Sequence, residues 1–315
     1  MIVTVTLNAA VDVTYRLDRL DRHGSNRVRE VAQRAGGKGV NVSRVLGALG
    51  HETVVTGLAG GAAGQALRAD LAAAGLREEL VPVAGETRRT VAVVEEADGD
   101  TTILLEPGPA VSPAEWSAFL TRYERLLAGA AAVVLSGSLP VGLPPDAYGV
   151  LVGLARAQRV PAVLDADGEA LRGGLPAGPA LVKPNAAELA AVTGAADPRA
   201  GAGWLRAAGA GSVVASLGPD GLLACTPQGS WRARPPERVA GNPTGAGDAA
   251  VAALTVGLVA GTPWPDRLAD AVALSAATVL APLAGSYDAD AYRSMRQRVR
   301  VEPLGADGPC TAEQA

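Results

Sequence analysis

Pro243-Thr244-Gly245-Ala246-Gly247-Asp248 is followed by the apolar run Ala249 to Gly261, which contains no proline. Two glycines around a small residue, one carboxylate and then an uninterrupted apolar stretch describe a tight turn opening a helix. At a helix start several backbone N–H groups have no partner within the helix. The aligned peptide dipoles add partial positive charge there. Glycines let an anion approach that backbone with no Cβ in the way. Gly245, Ala246 and Gly247 are therefore expected to form an anion hole, with Asp248 at its rim.

A carboxylate beside a bound phosphate is repelled by it, so binding alone does not favour Asp248. Chemistry could: transfer of a phosphoryl group to a hydroxyl needs a base for the hydroxyl proton. The alternative is an acidic residue in the first helical turn that only stabilises the helix dipole.

Working outward, segments of strand and helix character alternate from about Ser112. The expected elements are helix 112–128, strand 132–135, helix 145–157, strand 161–164, strand 180–182, helix 198–208 and strand 212–217. Helices 247–260, 265–281 and 288–298 follow. Strands alternating with helices mean an α/β fold: a doubly wound, mostly parallel sheet with helices on both faces. Loops that follow parallel strands gather at one sheet edge, where ligands bind. They are Asn8-Ala9-Ala10-Val11-Asp12 after a first strand from Ile2 to Leu7, Ser136-Gly137-Ser138-Leu139-Pro140, Asp165-Ala166-Asp167-Gly168, Lys183-Pro184-Asn185-Ala186-Ala187-Glu188 and Gly218-Pro219-Asp220-Gly221. Asp12 is a candidate substrate contact, or an ordinary loop acid. Asn185 and Glu188 share a helical face or turn. Glu188 is a candidate for the hydration shell of a magnesium ion, or a plain surface residue.

The first third of the chain is less regular. Residues 12–35 are polar, with Arg27, Arg29 and Arg34 spaced among other residues, and read as one or two exposed strands. Gly36-Gly37-Lys38-Gly39 then opens a helix marked by Val45, Leu46 and Leu49. Lys38 is followed by Gly39 and not by Ser or Thr, so this is not a P-loop. It is a second glycine-rich helix start, a candidate anion or sugar site carrying Lys38 and Asn41. Strand 53–59 and helix 63–74 come next. Strands 90–96 and 101–105 are joined by the hairpin signal Asp98-Gly99. Arg88 and Arg89 precede them, a pair able to hold a phosphate bidentately or to keep a sheet edge solvated.

The composition sets bounds. The 315 residues suit one large α/β domain, or a domain with a small appendage. Apolar residues make up 48% and aromatics 3%, so the core should be aliphatic and closely spaced. A net charge of −4 without a long basic run argues against nucleic acid or a membrane surface as partner. Cys225 and Cys310 have no metal-ligand spacing and are too few for a disulfide scaffold, which fits a reducing, cytoplasmic compartment. No apolar segment reaches the length of a membrane span. His23 and His51 have no partner at metal-site spacing. Residues from about 299 to 315 are expected to be a frayed tail.

Taken in order, Asn8-x-x-x-Asp12, Gly36-Gly37-Lys38-Gly39-x-Asn41, Thr87-Arg88, Ser136-Gly137-Ser138-Leu139-Pro140, Lys183-Pro184-Asn185-x-x-Glu188, Ser216-Leu217-Gly218 and Gly245-Ala246-Gly247-Asp248 resemble the ribokinase-like (PfkB) carbohydrate kinases. They are similar to its phosphosugar branch, that of 1-phosphofructokinase, tagatose-6-phosphate kinase and the minor 6-phosphofructokinase. The resemblance covers about residues 1–298. It implies a small β-sheet lid from about 10–35 and 86–107, often a homodimer contact. It implies that Asp248 is the catalytic base and that Gly245, Ala246 and Gly247 form the oxyanion hole. Asp12, Gly37 and Asn41 would contact the sugar. Arg88 and Lys38, with Arg27, would hold the phosphate already on the substrate, and Ser138 would be a further substrate contact. Lys183, Asn185, Ser216, Gly218, Gly221 and Thr244 would face ATP, and Glu188 the Mg2+ shell. The implied reaction is phosphorylation of a ketohexose monophosphate to a 1,6-bisphosphate, with fructose 1-phosphate first and tagatose 6-phosphate or fructose 6-phosphate next. The alternatives are a kinase of an unphosphorylated sugar or nucleoside, and a non-catalytic sugar-phosphate sensor. Ala9, Thr90, Pro243-Thr244 and Asp165-Ala166-Asp167 depart from the branch's usual residues. None removes a catalytic group.

Overall fold

The computed structural model describes residues 1–97 and 100–305, so the Asp98-Gly99 turn and the chain from 306 onward lie outside the described residues. The chain opens with β1 (Ile2–Thr6), leaves for β2 (Ala10–Leu17) and β3 (Glu30–Gly36), and returns through α1 (Lys38–Ala48). Then come β4 (Thr53–Ala59), α2 (Gly61–Ala73) and β5 (Arg77–Pro82). A second excursion forms β6 (Arg88–Glu95) and β7 (Thr101–Leu105). Regular alternation follows through α3 (Pro113–Leu127), β8 (Ala132–Ser136), α4 (Ala147–Ala157), β9 (Ala162–Asp165), α5 (Gly168–Gly174), β10 (Leu181–Val182), α6 (Ala186–Thr193), α7 (Pro198–Ala207) and β11 (Val213–Ser216). The hairpin β12 (Leu222–Thr226) and β13 (Gly229–Arg234) precedes α8 (Ala246–Val259), α9 (Trp264–Val279), α10 (Ala289–Arg296) and β14 (Arg300–Leu304).

The main sheet has ten strands in the order β14-β13-β12-β11-β10-β9-β8-β1-β4-β5. From β11 to β5 every pairing is parallel, and the three pairings at the β14 end are antiparallel. The central strands are buried on both faces, which is why they read as continuous β-branched runs. Alternate residues divide between two layers. Val3, Val5, Val133, Leu135 and Val182 pack with Phe119, Tyr123 and Leu151 on one face. Ile2, Val134, Val163, Leu181 and Val214 pack on the other with the small residues Ala249, Ala250 and Ala252 of α8 and with Leu268 of α9. Among the described residues no helix is long and apolar enough to cross a membrane.

The two excursions form a separate four-stranded sheet, ordered β3-β2-β6-β7. Val11, Val13 and Ala35 tuck its inner side against α2. Val31, Ile103, Leu104 and Leu105 remain exposed.

The ends of the main sheet differ from the sequence expectation. The expected tail begins with an ordered strand: β14 pairs with β13 from Leu304 opposite Ser230 to Arg300 opposite Arg234. Its charges and Pro303 suit an edge strand, whose outer side needs no hydrogen-bonding partner. That same composition reads as loop. Strand β5 and the β12–β13 hairpin were also not expected.

At β1–β4 the backbones approach closely. Gly57 lies opposite Thr6, at φ +150, and a Cβ there would fall 2.0 Å from the Thr6 carbonyl oxygen. Gly57→Ala should lose about 1–3 kcal/mol of stability through overpacking and backbone strain. Urea unfolding measures this, and an unchanged midpoint would contradict the packing described.

Candidate active site

The carboxyl ends of β1, β8, β9, β10 and β11 lie at one edge of the sheet, and two helix starts face them. The first is α8. Gly245, its N-cap, has φ +86, and a Cβ there would lie 3.0 Å from the Ala284 Cα. Both facts restrict the position to glycine. Ala246 N–H is bonded to the Pro243 carbonyl and Ala249 N–H to that of Gly245. Among the described residues, the amides of Gly247 and Asp248 between them have no backbone acceptor. These amides stand where the sequence expects an anion hole, and Lys183 borders them: a Cβ on Gly247 would sit 3.6 Å from its Nζ.

Asp248 lies in the first turn of α8 and is only 7% exposed. Asn41 Nδ2 donates to its Oδ2 at 2.9 Å. Burial pushes the Asp248 carboxyl up to about 7, and the nearby Asp165 adds to the rise. The Asn41 hydrogen bond, Lys38 and Lys183 work in the other direction. A helix-dipole role would not require burial, an amide donor and two lysines. The arrangement leaves a buried carboxylate that changes charge near neutral pH, where perturbed groups of functional sites are often found.

The second helix start is that of α1. Gly37 is its N-cap at φ +102, packed so tightly that a Cβ would lie 2.7 Å from Thr6 Cγ2. Lys38 departs from expectation. Its Nζ lies 3.4 Å from Asp165 Oδ1 and 3.6 Å from Glu188 Oε1. Burial disfavours its charge, but Asp165, Glu188 and Asp248 outweigh burial and hold the ammonium above its ordinary pKa. Arg88, its expected partner at the substrate phosphate, bonds elsewhere. An ammonium taken out of water settles on carboxylates, here Asp165 and Glu188.

Asp165 is the residue the sequence reading missed. It ends β9 with 1% exposure, and its Oδ1 is 3.4 Å from the Nζ of both Lys38 and Lys183. The available signal was its place as the last residue of a parallel strand.

Asn185 and Glu188 form a capping box at the start of α6: Glu188 N–H donates to Asn185 Oδ1, and Asn185 N–H to Glu188 Oε2, each at 2.8 Å. One Glu188 oxygen is thus engaged locally and the other faces Lys38. Among the described residues no three acidic, histidine or cysteine side chains gather into a metal cage. Asp165 and Glu188, converging on Lys38, are oxygen donors of the kind that suit Mg2+ when phosphate oxygens and water complete its shell. The residues present fit such an ion.

At the other end of the site stands Asp12 on β2. A Cβ on Gly36 would lie 2.1 Å from its Cγ, so the carboxyl occupies the space that a side chain there would take. Burial raises the Asp12 carboxyl to about 6, against the pull of Arg88, a Thr90 side-chain hydrogen bond, Arg34 and Arg44. Arg88 Nε donates to the Asn8 carbonyl at 3.0 Å, and Asn8 Nδ2 donates to Ser138 Oγ at 3.0 Å. Burial lowers the Arg88 pKa, while Asp12 and Glu106 support its charge. Arg88, Asn8, Ser138 and Asp12 therefore form one cluster. Arg27 is exposed on the segment 18–29, and no contact among the described residues joins it to them.

Along the sheet, Ser216 N–H donates to the Pro184 carbonyl at 2.9 Å and Asn185 bridges to Ser216. Pro184 and Asn185 thus run beside Ser216, and Gly218 and Gly221 lie in the turn that follows it. Gly221, at φ +84, would place a Cβ 2.0 Å from the Ala233 carbonyl. Thr244 is exposed, and its N–H donates to Asn242 Oδ1.

The pfkB family carbohydrate kinase profile matches residues 5–290. The chain belongs to the pfkB family of carbohydrate kinases. Phosphofructokinase-2 from Escherichia coli, solved in complex with potassium, is similar at 29% identity and a TM-score of 0.89, over 94% of this chain and 98% of that one. In complex with fructose-6-phosphate, the same enzyme superposes with a TM-score of 0.86 at 29% identity, over 94% and 98% of the two chains. A possible 1-phosphofructokinase from Thermotoga maritima has 27% identity and a TM-score of 0.87, over 96% and 99%. As a pfkB kinase, the protein has the mixed α/β fold with a smaller separate sheet and is a carbohydrate phosphotransferase with an alcohol group as acceptor.

The raised Asp248 pKa has a consequence for this kinase's stability. Asp248 ionises near 3.8 when exposed and near 7 when folded. The unfolded chain releases that proton first, so stability falls as pH rises from about 4 to about 7 and stays lower above. Asp248→Asn should therefore raise the melting temperature more at pH 8 than at pH 5. An equal change at both pH values would contradict the burial described.

Proposed function

We propose that this protein is an ATP- and Mg2+-dependent phosphosugar kinase, transferring the γ-phosphoryl group to a free hydroxyl of a ketohexose monophosphate and yielding a 1,6-bisphosphate. Asp248 carries the reading: a buried carboxylate near its switching point, beside unpartnered amides and two lysines. In the reaction the Asp248 carboxylate takes the hydroxyl proton, the sugar oxygen bonds to the γ-phosphorus, and the bond from that phosphorus to the bridging oxygen of ADP breaks. The amides of Gly247 and Asp248 face the oxygens that carry the growing charge. Lys183 and Lys38 neutralise the phosphates. Bound Mg2+ would supply further charge neutralisation beside Asp165 and Glu188. Ser216, Gly218, Gly221, Asn185 and Thr244 form the nucleotide end.

Arg88, with Asn8 and Ser138, offers a half-buried cation next to Asp12, which suits an acceptor already bearing a phosphate. Fructose 1-phosphate is the first acceptor to test, then tagatose 6-phosphate and fructose 6-phosphate. The deciding experiment is ADP release across a panel of free sugars, nucleosides and sugar phosphates. Turnover confined to ketohexose monophosphates supports the proposal. Turnover on a neutral acceptor would overturn the phosphosugar assignment, and ligand binding without any turnover would favour a sensor. Arg88→Ala should raise KM for the phosphosugar by about 10- to 100-fold, as loss of a charge-assisted contact does, with KM for ATP little changed. An unchanged phosphosugar KM would return the neutral-acceptor reading.

The exposed apolar side chains of the small sheet, Val31, Ile103, Leu104 and Leu105, support a homodimer built through the lid. Light scattering should find a dimer, and Leu105→Asp should shift it towards monomer. A wild-type monomer at micromolar concentration would contradict this. A kinase drawing on ATP and phosphosugars is expected in the cytoplasm.

A further inference from the structure

Arg34 lies on β3 directly opposite Asp12. Its side chain leaves the small sheet: Nη1 donates to the Ala284 carbonyl at 2.8 Å, a contact between residues 250 apart in the chain. Ala284 belongs to the segment 281–286 between α9 and α10, and that segment backs the anion hole. A Cβ on Gly245 would lie 3.0 Å from both Cα and Cβ of Ala284 and 3.2 Å from the Gly285 nitrogen. On its other side the segment leans on α1. Gly285, at φ +74, would place a Cβ 2.9 Å from Arg44 Cδ and 3.3 Å from Asn41 Cα. Asn41 is the residue that holds Asp248. Arg44 pairs with Asp70, and Asp70 Oδ2 also accepts the Ala35 N–H at 2.9 Å, next to Arg34. The root of the lid, the 281–286 segment, the anion hole and the base are thus in continuous contact.

We propose that Arg34 is a positioning residue for phosphoryl transfer: from the root of the lid it fixes the Ala284 carbonyl, and with it the segment that sets the Gly245–Asp248 backbone. The inference rests on the kinase reading above and adds the element that joins lid and anion hole. A guanidinium suits the task. It stays charged when half buried, and a charge-assisted bond to a carbonyl is stronger than a neutral one. The left-handed Gly245 has no side chain to hold it, so the surrounding backbone must define its position. Displacement of reacting groups by even 1 Å is costly in rate.

The test combines kinetics with a binding measurement that needs no turnover. Arg34→Ala should lower kcat about 10- to 100-fold, leave KM for ATP within about twofold, and regain most activity as Arg34→Lys. Calorimetry with Mg2+ and ADP, with and without aluminium fluoride, reads the anion hole directly. The affinity that fluoroaluminate adds in the wild type should fall about tenfold in Arg34→Ala, with ADP alone unchanged. Gly285→Ala, which displaces the same segment from the other side, should give the same pattern. Unchanged kcat and fluoroaluminate affinity would overturn the proposal. So would a raised phosphosugar KM at normal kcat, which would make Arg34 a substrate contact, or a lowered melting temperature with neither parameter changed. A wild type that phosphorylates nothing would end the kinase reading alone, because the fluoroaluminate comparison still decides the role of Arg34.

Discussion

The hydrogen bond from Asn41 to Asp248 joins two helix starts that are distant in sequence, and the rest of the site is arranged around it. A carboxylate removed from water tends to take up a proton. Asn41, Lys38 and Lys183 oppose that tendency, while burial and the neighbouring Asp165 promote it. The outcome is a group poised between its two states near neutral pH. A fully solvated aspartate would be too weak a base, and one fully neutralised by lysines would be weaker still. Asp165 has a double effect: it gathers both lysines at the phosphoryl end, and its own charge raises the basicity of Asp248.

This balance depends on close approach. Gly36 makes room for the Asp12 carboxyl, Gly37 for Thr6, Gly57 for the Thr6 carbonyl and Gly245 for Ala284. The alanine-rich face of α8 has the same character, packed against α1, α9 and the sheet. With few aromatic side chains, the core is built from short spacings, and the helix starts can be brought within hydrogen-bonding distance of each other. The buried lysine–carboxylate cluster is a poor source of stability, because ions are expensive to desolvate. Its placement is explained by the charge it would meet during transfer, in keeping with a site that gives up stability for function.

Much of this was legible in the sequence. Parallel strands buried on both faces write themselves as short β-branched runs, and glycine clusters mark helix starts. Thr53 to Ala59 and Thr101 to Leu105 agree with observed strands, and α8 begins within one residue of its expected start. The less regular ends were not legible. In β14, charge and Pro303 suit an unpaired edge and so resemble a tail. In the site, the glycine turn that opens α8 before Asp248 could be anticipated because local backbone geometry dictates it. The partners of Lys38 could not be read, because Asp165 and Glu188 come from other strands and helices and only folding shows which carboxylates it meets. The path from Arg34 to Ala284 is tertiary in the same way.

In the proposed reaction Asp248 removes the acceptor's proton and does little to hold the nucleotide. The most direct measurement is kcat of Asp248→Ala beside its affinity for ATP. Turnover should fall by about 10²–10⁴, the usual contribution of a general base, with ATP affinity kept. Near-normal turnover in that variant would contradict the claim.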